Sequence, residues 1–127
     1  MTASTGPTSP ANPASPTGRS GPAGAWTARI GRETETSANT FHFTGDGRVF
    51  LADGGAGTWT ATGPASFGFR IAEPIYDGTG ACVGWVDIDQ RAVLSGTTFT
   101  SEGVSLVRDS EGRTLRTTRV TVTASRV

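Results

Sequence analysis

Glu73 is the residue whose type and setting point most directly to chemistry. It ends the alternating run Phe67-Gly68-Phe69-Arg70-Ile71-Ala72-Glu73, in which every second side chain shares one apolar face. A carboxyl at the end of such a face has three fates. Unpaired and desolvated, it holds its proton more tightly and can serve as a general acid or base. Paired with Arg116, which the strand register also turns inward near the same rim, it becomes a salt bridge or an orienting clamp. Turned to water, it is a solvated rim residue. Tyr76, three residues on, offers a phenol hydroxyl to a ligand carbonyl. Glu73, Tyr76 and Arg116 are the candidate catalytic residues.

The remaining reactive types carry less. Gln90 and Ser101 face each other across a hairpin, where they would satisfy one another's hydrogen bonds rather than catalyse. His42 lies between Phe41 and Phe43 and points away from both. Cys82 has no neighbouring His to activate it. Asp87 and Asp89 share an outward face and read as solvated charges rather than metal ligands. Asp53-Gly54-Gly55-Ala56-Gly57 precedes no helical pattern, so it is a turn and not a phosphate loop. One His and one Cys cannot build a His/Cys zinc cluster, and no Ser-His-Asp arrangement fits around the single His. All eleven basic residues are Arg, which excludes Lys-centred chemistry. No cofactor and no metal are expected.

The 127 residues suffice for one domain, and eleven positive charges balance eleven negative ones. A net charge of zero argues against nucleic-acid and anionic-membrane partners. A lone Cys forms no internal disulfide, the N-terminus shows no secretory pattern, and no apolar run approaches the ~18 residues of a membrane helix. A cytoplasmic location is the expectation. Residues 1–23 are rich in Pro, Ser, Thr and Gly, and are expected to be a disordered tail or a strap that closes over a site or reaches a partner subunit.

From residue 24 onward, β-branched and aromatic residues alternate with polar ones between Gly- or Asp-containing turns. This pattern predicts an all-β domain over 24–127 with eight strands, near 25–31, 39–44, 48–52, 57–62, 66–73, 81–94, 97–108 and 113–125. Eight sequential strands suit an antiparallel up-and-down barrel. A two-residue turn at Ser95-Gly96 predicts the pairs Leu94–Thr97, Ala92–Phe99, Gln90–Ser101 and Ile88–Gly103. It also sets Asp89 opposite Glu102, two like charges that belong in water. Turns at Gly45–Gly47, Thr62–Pro64 and Ser95–Gly96 are short. Those at 32–38, 53–56, 74–80 and 109–112 are longer, which predicts one laced end and one open mouth.

Gly24-Ala25-Trp26 opens the first strand, Arg126 ends the last, and Gly57-Thr58-Trp59 repeats the Gly-x-Trp pattern. The first of these resembles the Gly-x-Trp motif of the lipocalin-like, or calycin, barrels. In that superfamily the Trp packs across the closed end beneath an Arg of the last strand. The chain departs from true lipocalins in its length, its lack of disulfides and the missing helix after the barrel. In those respects it is similar to compact bacterial barrels, among them spirotetronate-forming and other polyketide cyclases and allene oxide cyclase-like barrels. The resemblance implies a cofactor-free cyclase.

The inward set mixes Phe41, Phe43, Phe67, Phe69, Phe99, Val86 and Ile88 with Gly84, Gly103, Gln90, Ser101, Ser105 and Thr118. Trp59 joins these as a candidate ligand contact. Aromatics interdigitating with glycines would make a solid core. An aromatic wall facing a small-residue wall would instead leave an apolar cavity with polar handles. The expected function is enclosure of a hydrophobic, polyketide-type small molecule and its cyclisation by conformational templating. The alternatives are a carrier without chemistry and an interaction protein with a filled barrel. Outward Val83, Trp85, Val104 and Leu106 form an apolar patch, which predicts a homodimer through Trp85 and Leu106.

Overall fold

The computed structural model describes residues 21–127. Eight strands, β1 (Gly24–Gly31), β2 (Thr36–Phe43), β3 (Arg48–Leu51), β4 (Ala56–Gly63), β5 (Ser66–Tyr76), β6 (Cys82–Ser95), β7 (Thr98–Asp109) and β8 (Thr114–Arg126), pair in sequence order. The last pairs antiparallel with the first, closing the barrel. Closure leaves no continuous sheet edge along the barrel wall. Among the described residues there is no helix long and apolar enough to cross a membrane. The question of a tail or strap concerns residues 1–20 and lies outside the described residues. Gly21–Ala23 belong to the folded body, because Pro22 is buried and accepts a 2.7 Å hydrogen bond from the Trp26 indole.

The faces follow the alternation, but the β6–β7 register differs from the expected one. The hairpin turns on Gly96-Thr97, so Ser95 pairs with Thr98, Leu94 with Phe99, Ala92 with Ser101, Gln90 with Gly103 and Ile88 with Ser105. Gly96 explains the slip: its φ of 63° places it first in the two-residue turn, where a left-handed conformation matches the strand twist. The slip moves each partner by two residues, so inward and outward faces are kept. Asp89 therefore opposes Val104, and Glu102 opposes Arg91, not each other. Both still point outward. Asp89 meets Arg70 at 3.4 Å and Asp87 meets Arg108 at 2.6 Å, so the two aspartates pair with arginines. No cluster of three His, Cys, Asp or Glu side chains suited to a metal occurs among the described residues.

The lower half of the barrel is solid. Trp26, Phe43, Phe67 and Phe99 are almost wholly buried. Trp26 meets Phe99 edge-on at 4.9 Å, Phe67 meets Phe99 at 5.3 Å and Phe43 meets Phe67 at 5.5 Å. Edge-to-face rings at these spacings fill space and complement each other's quadrupoles. The floor is sealed by Arg126, whose guanidinium lies 4.3 Å from the Trp26 ring centre and donates to the Ala23 and Gly21 carbonyls.

The inward glycines do not widen the interior. A Cβ on Gly103 would collide with the Asp89 carbonyl, one on Gly84 with Arg108, and one on Gly57 with Arg70. The neighbouring backbone already occupies that space, and these glycines let the strands coil tightly. The pairing of aromatics against small residues thus makes a packed core below.

Candidate functional site

The upper end of the barrel is different, and strand lengths are the reason. The last β4–β5 pair is Ala56–Ala72, so Glu73–Tyr76 have β6 on one side only. The last β1–β8 pair is Gly31–Thr121, so Thr114–Val120 have only β7. Strands β5–β8 therefore rise past the mouth as a half-wall. Its inner face carries Ile75, Val86 and Val107, all half-buried. Pro74 sits where β5 becomes an edge, a position that needs no amide donor.

Below this half-wall is a pocket of about 60 Å³, lined by Ile30, Phe41, Leu51, Phe69, Ile88, Val120 and Val122 and by the polar groups of Arg32, Ser37, Asn39, Asp53, Glu73 and Ser105. That is room for about two water-sized groups. Glu73 enters from β5, and its carboxyl hydrogen-bonds Asp53 in the β3–β4 turn. Burial, then this hydrogen bond, then the Asp53 charge push its pKa up to about 7, while the Arg32 charge opposes them. Gly55 makes the approach possible, since a Cβ there would press on the Glu73 stem and on Leu51.

Asp53 is available for this role because its turn lacks the usual clamp. The turns beginning at Thr44, Leu51, Asp77 and Asp109 share one five-residue geometry: the first N–H donates to the fifth carbonyl, and the fourth residue, Gly47, Gly54, Gly80 or Gly112, donates to the first carbonyl. In each, that glycine has a positive φ, between 86° and 108°. Thr44, Asp77 and Asp109 add a side-chain acceptor for the fifth N–H, at 3.0, 3.1 and 2.9 Å. Asp77 and Asp109 are held below the ordinary carboxyl range, Asp77 chiefly by the Thr79 side chain and Asp109 chiefly by the Arg113 backbone N–H. The second turn begins with Leu51, a core residue, and has no such clamp. Its acid stands two places on, and Asp53 instead binds Glu73 and accepts a 3.1 Å hydrogen bond from Asn39.

The proposed Glu73–Arg116 pairing is absent. Arg116 is exposed and donates to Thr118 at 3.4 Å, while Glu73 finds Asp53 and Arg32. The physical reason is the half-wall: Arg116 pairs across from Val107, high on β8, where β1 no longer covers it and the side chain is exposed. Tyr76 belongs to β5 rather than to a loop, and at 61% exposure it stands clear of the pocket.

Of the candidate ligand contacts, Phe41, Phe69, Ile88 and Ser105 reach the pocket. Phe43, Phe67 and Phe99 are locked in the aromatic floor, and Trp59 caps the closed end through its bond to the Thr44 carbonyl. Val86 stands on the half-wall opposite Glu73. Gln90 and Ser101 bond each other at 2.7 Å, and Gln90 also donates to the Val120 carbonyl. Thr118 is buried beneath Arg116. Ser105, a residue only 5% exposed, lines the pocket, and its hydroxyl has no hydrogen-bond partner among the described residues.

Asp53, Arg32 and Asn39 escaped the sequence reading. Their signal was present in the sorting of turns by rim, which puts Arg32 and Asp53 in mouth turns and Asn39 at the start of the strand that follows the first of them.

No protein-family profile, curated protein or solved structure matches the chain.

Proposed function

We propose that this barrel binds a hydrophobic small molecule at its mouth and promotes its cyclisation, with Glu73 as the acid that engages a ligand carbonyl. One observation carries the reading: a carboxyl hydrogen-bonded to a second acid at the rim of a pocket whose floor is apolar and whose rim is polar. When a ligand enters, the single proton of neutral Glu73 turns from Asp53 to the ligand's carbonyl oxygen, draws electron density from the conjugated system attached to it, and so lowers the barrier to ring closure, while Asp53 keeps its bond from Asn39. Ser105 supplies a second donor deeper in the pocket.

The pocket admits only the terminal group of such a ligand. The apolar body, of polyketide type in this reading, lies along Ile75, Val86 and Val107, where the half-wall folds it toward its reactive conformer. Protein side chains suffice for this chemistry.

The enclosure of the Ser105 hydroxyl favours a second reading, retention of the same ligand without turnover. Titration with 2-decanone, a neutral carbonyl with an apolar chain, tests the site. Shifts in the NMR resonances of Glu73, Ser105 and Val86 are expected, with weaker shifts from decane. Equal response to both compounds, or response confined to residues outside the mouth, would sink the proposal. Glu73→Gln separates the two readings once a cyclising substrate is in hand: the enzyme loses turnover and keeps binding, whereas a carrier has no turnover to lose.

A further inference from the structure

The outer face of β4–β7 carries a groove that the barrel itself does not use. Ala56 pairs with Ala72, and their small side chains open a depression of about 470 Å³ floored also by Val104 and Leu106. Trp85 stands one row above it, between Pro74 and Arg108 on the neighbouring strands. It is 44% exposed, and Val104 is 40% exposed, so a large apolar knob lies beside a groove whose small and apolar side chains are interleaved with the Arg70–Asp89 and Arg108–Asp87 pairs.

We infer that this face is a homodimer interface in which the Trp85 side chain of each copy enters the groove of the other. A two-fold axis between knob and hole makes both insertions at once, because an isologous interface uses the same patch twice. The charges fit a second copy of this chain better than a charged partner. Arg70 pairs with Asp89 and Arg108 with Asp87 across the middle of the groove, and Arg119 pairs with Glu102 beyond it. A face that alternates both signs is complementary to itself and presents no field to a strongly acidic or basic partner.

The size also fits. Four strands at about 4.8 Å spacing, paired over about ten residues at about 3.4 Å rise, make a face of roughly 650 Å². A standard stable interface buries about 800 Å² per partner, measured over the rougher solvent-accessible surface.

Sedimentation velocity on the full chain tests the inference. A dimer is expected at roughly 100 µM, with Trp85→Ala weakening association by about thirtyfold or more, the loss typical of a buried aromatic anchor. Val104→Glu, which places a charge in the groove floor, is expected to give a monomer. Circular dichroism checks that each variant is folded, and if one is not, the other decides. A monomeric wild type at that concentration overturns the inference, as does a dimer that either folded variant leaves unchanged. None of these outcomes bears on ligand binding at the mouth, so the two proposals fail separately.

Discussion

The Glu73 carboxyl and the Asp53 carboxylate share a hydrogen bond that ties β5 to the β3–β4 turn. The backbone of the turn is closed by its own hydrogen bonds, but it has no internal side-chain clamp, so this bond and the Asn39 contact orient the Asp53 side chain. Several consequences of that arrangement can be measured.

Stability should fall as pH rises through the range where Glu73 titrates. Below about pH 4.5 the folded and unfolded chains both carry the proton, and between there and about 7 only the folded chain keeps it. The folded state then binds more protons, so its stability decreases with pH until Glu73 ionises in both states. A shift of this size corresponds to about 3 kcal/mol without screening, and water at the rim reduces it to roughly 1–2 kcal/mol. Urea unfolding from pH 4 to 8 should show this slope in the wild type and a flatter one in Glu73→Gln, which should be the more stable protein at pH 8. Parallel curves for the two proteins would refute the assignment.

Asp53→Asn should lower the Glu73 titration midpoint without returning it to the ordinary carboxyl value. The substitution removes the neighbouring charge, but burial, the largest cause of the shift, remains. A ¹³C NMR titration of the Glu73 side-chain carboxyl reads this directly, and an unmoved midpoint counts against the pairing.

Gln90→Ala should destabilise the barrel by about 3 kcal/mol, through a cavity and two orphaned partners. The orphans are the Ser101 hydroxyl and the Val120 carbonyl. Adding Ser101→Ala should cost less than in the wild type, because the hydroxyl has already lost its acceptor. Additive losses in chemical denaturation would show that the two side chains act independently.

Gly103→Ala should be among the most damaging single-methyl changes in the chain. The added Cβ meets the Asp89 backbone rather than open space. Forcing the strands apart should cost about 3 kcal/mol or more, seen as a large drop in thermal midpoint. Gly78→Ala is the control, since no atom lies near its Cβ position, and it should change the midpoint little.

The barrel and its inward and outward faces were legible because a period-2 pattern survives a register slip of two residues. Glu73 was legible for the same reason. Its partner was not: pairing with Asp53 depends on β5 outrunning β4 by four residues, and on Gly55 admitting the Glu73 stem. Arg116 was misplaced because inwardness on β8 was read without knowing that β1 stops short of it. The solid floor was hidden too. Inward residues can be counted along a strand, but whether Phe43, Phe67 and Phe99 interlock is decided by strand coiling, and Gly103 offers no hollow because Asp89 fills it.

The seal beneath the aromatic floor has a practical corollary. Val127 donates to the Ala25 carbonyl, and Arg126 grips Gly21 and Ala23, so the end of β8 sits at the pole opposite the acid pair. A molecule tethered to a sensor chip through Val127 would therefore hold its entrance toward the flowing analyte, which makes the orientation needed for ligand screening a property of the barrel itself.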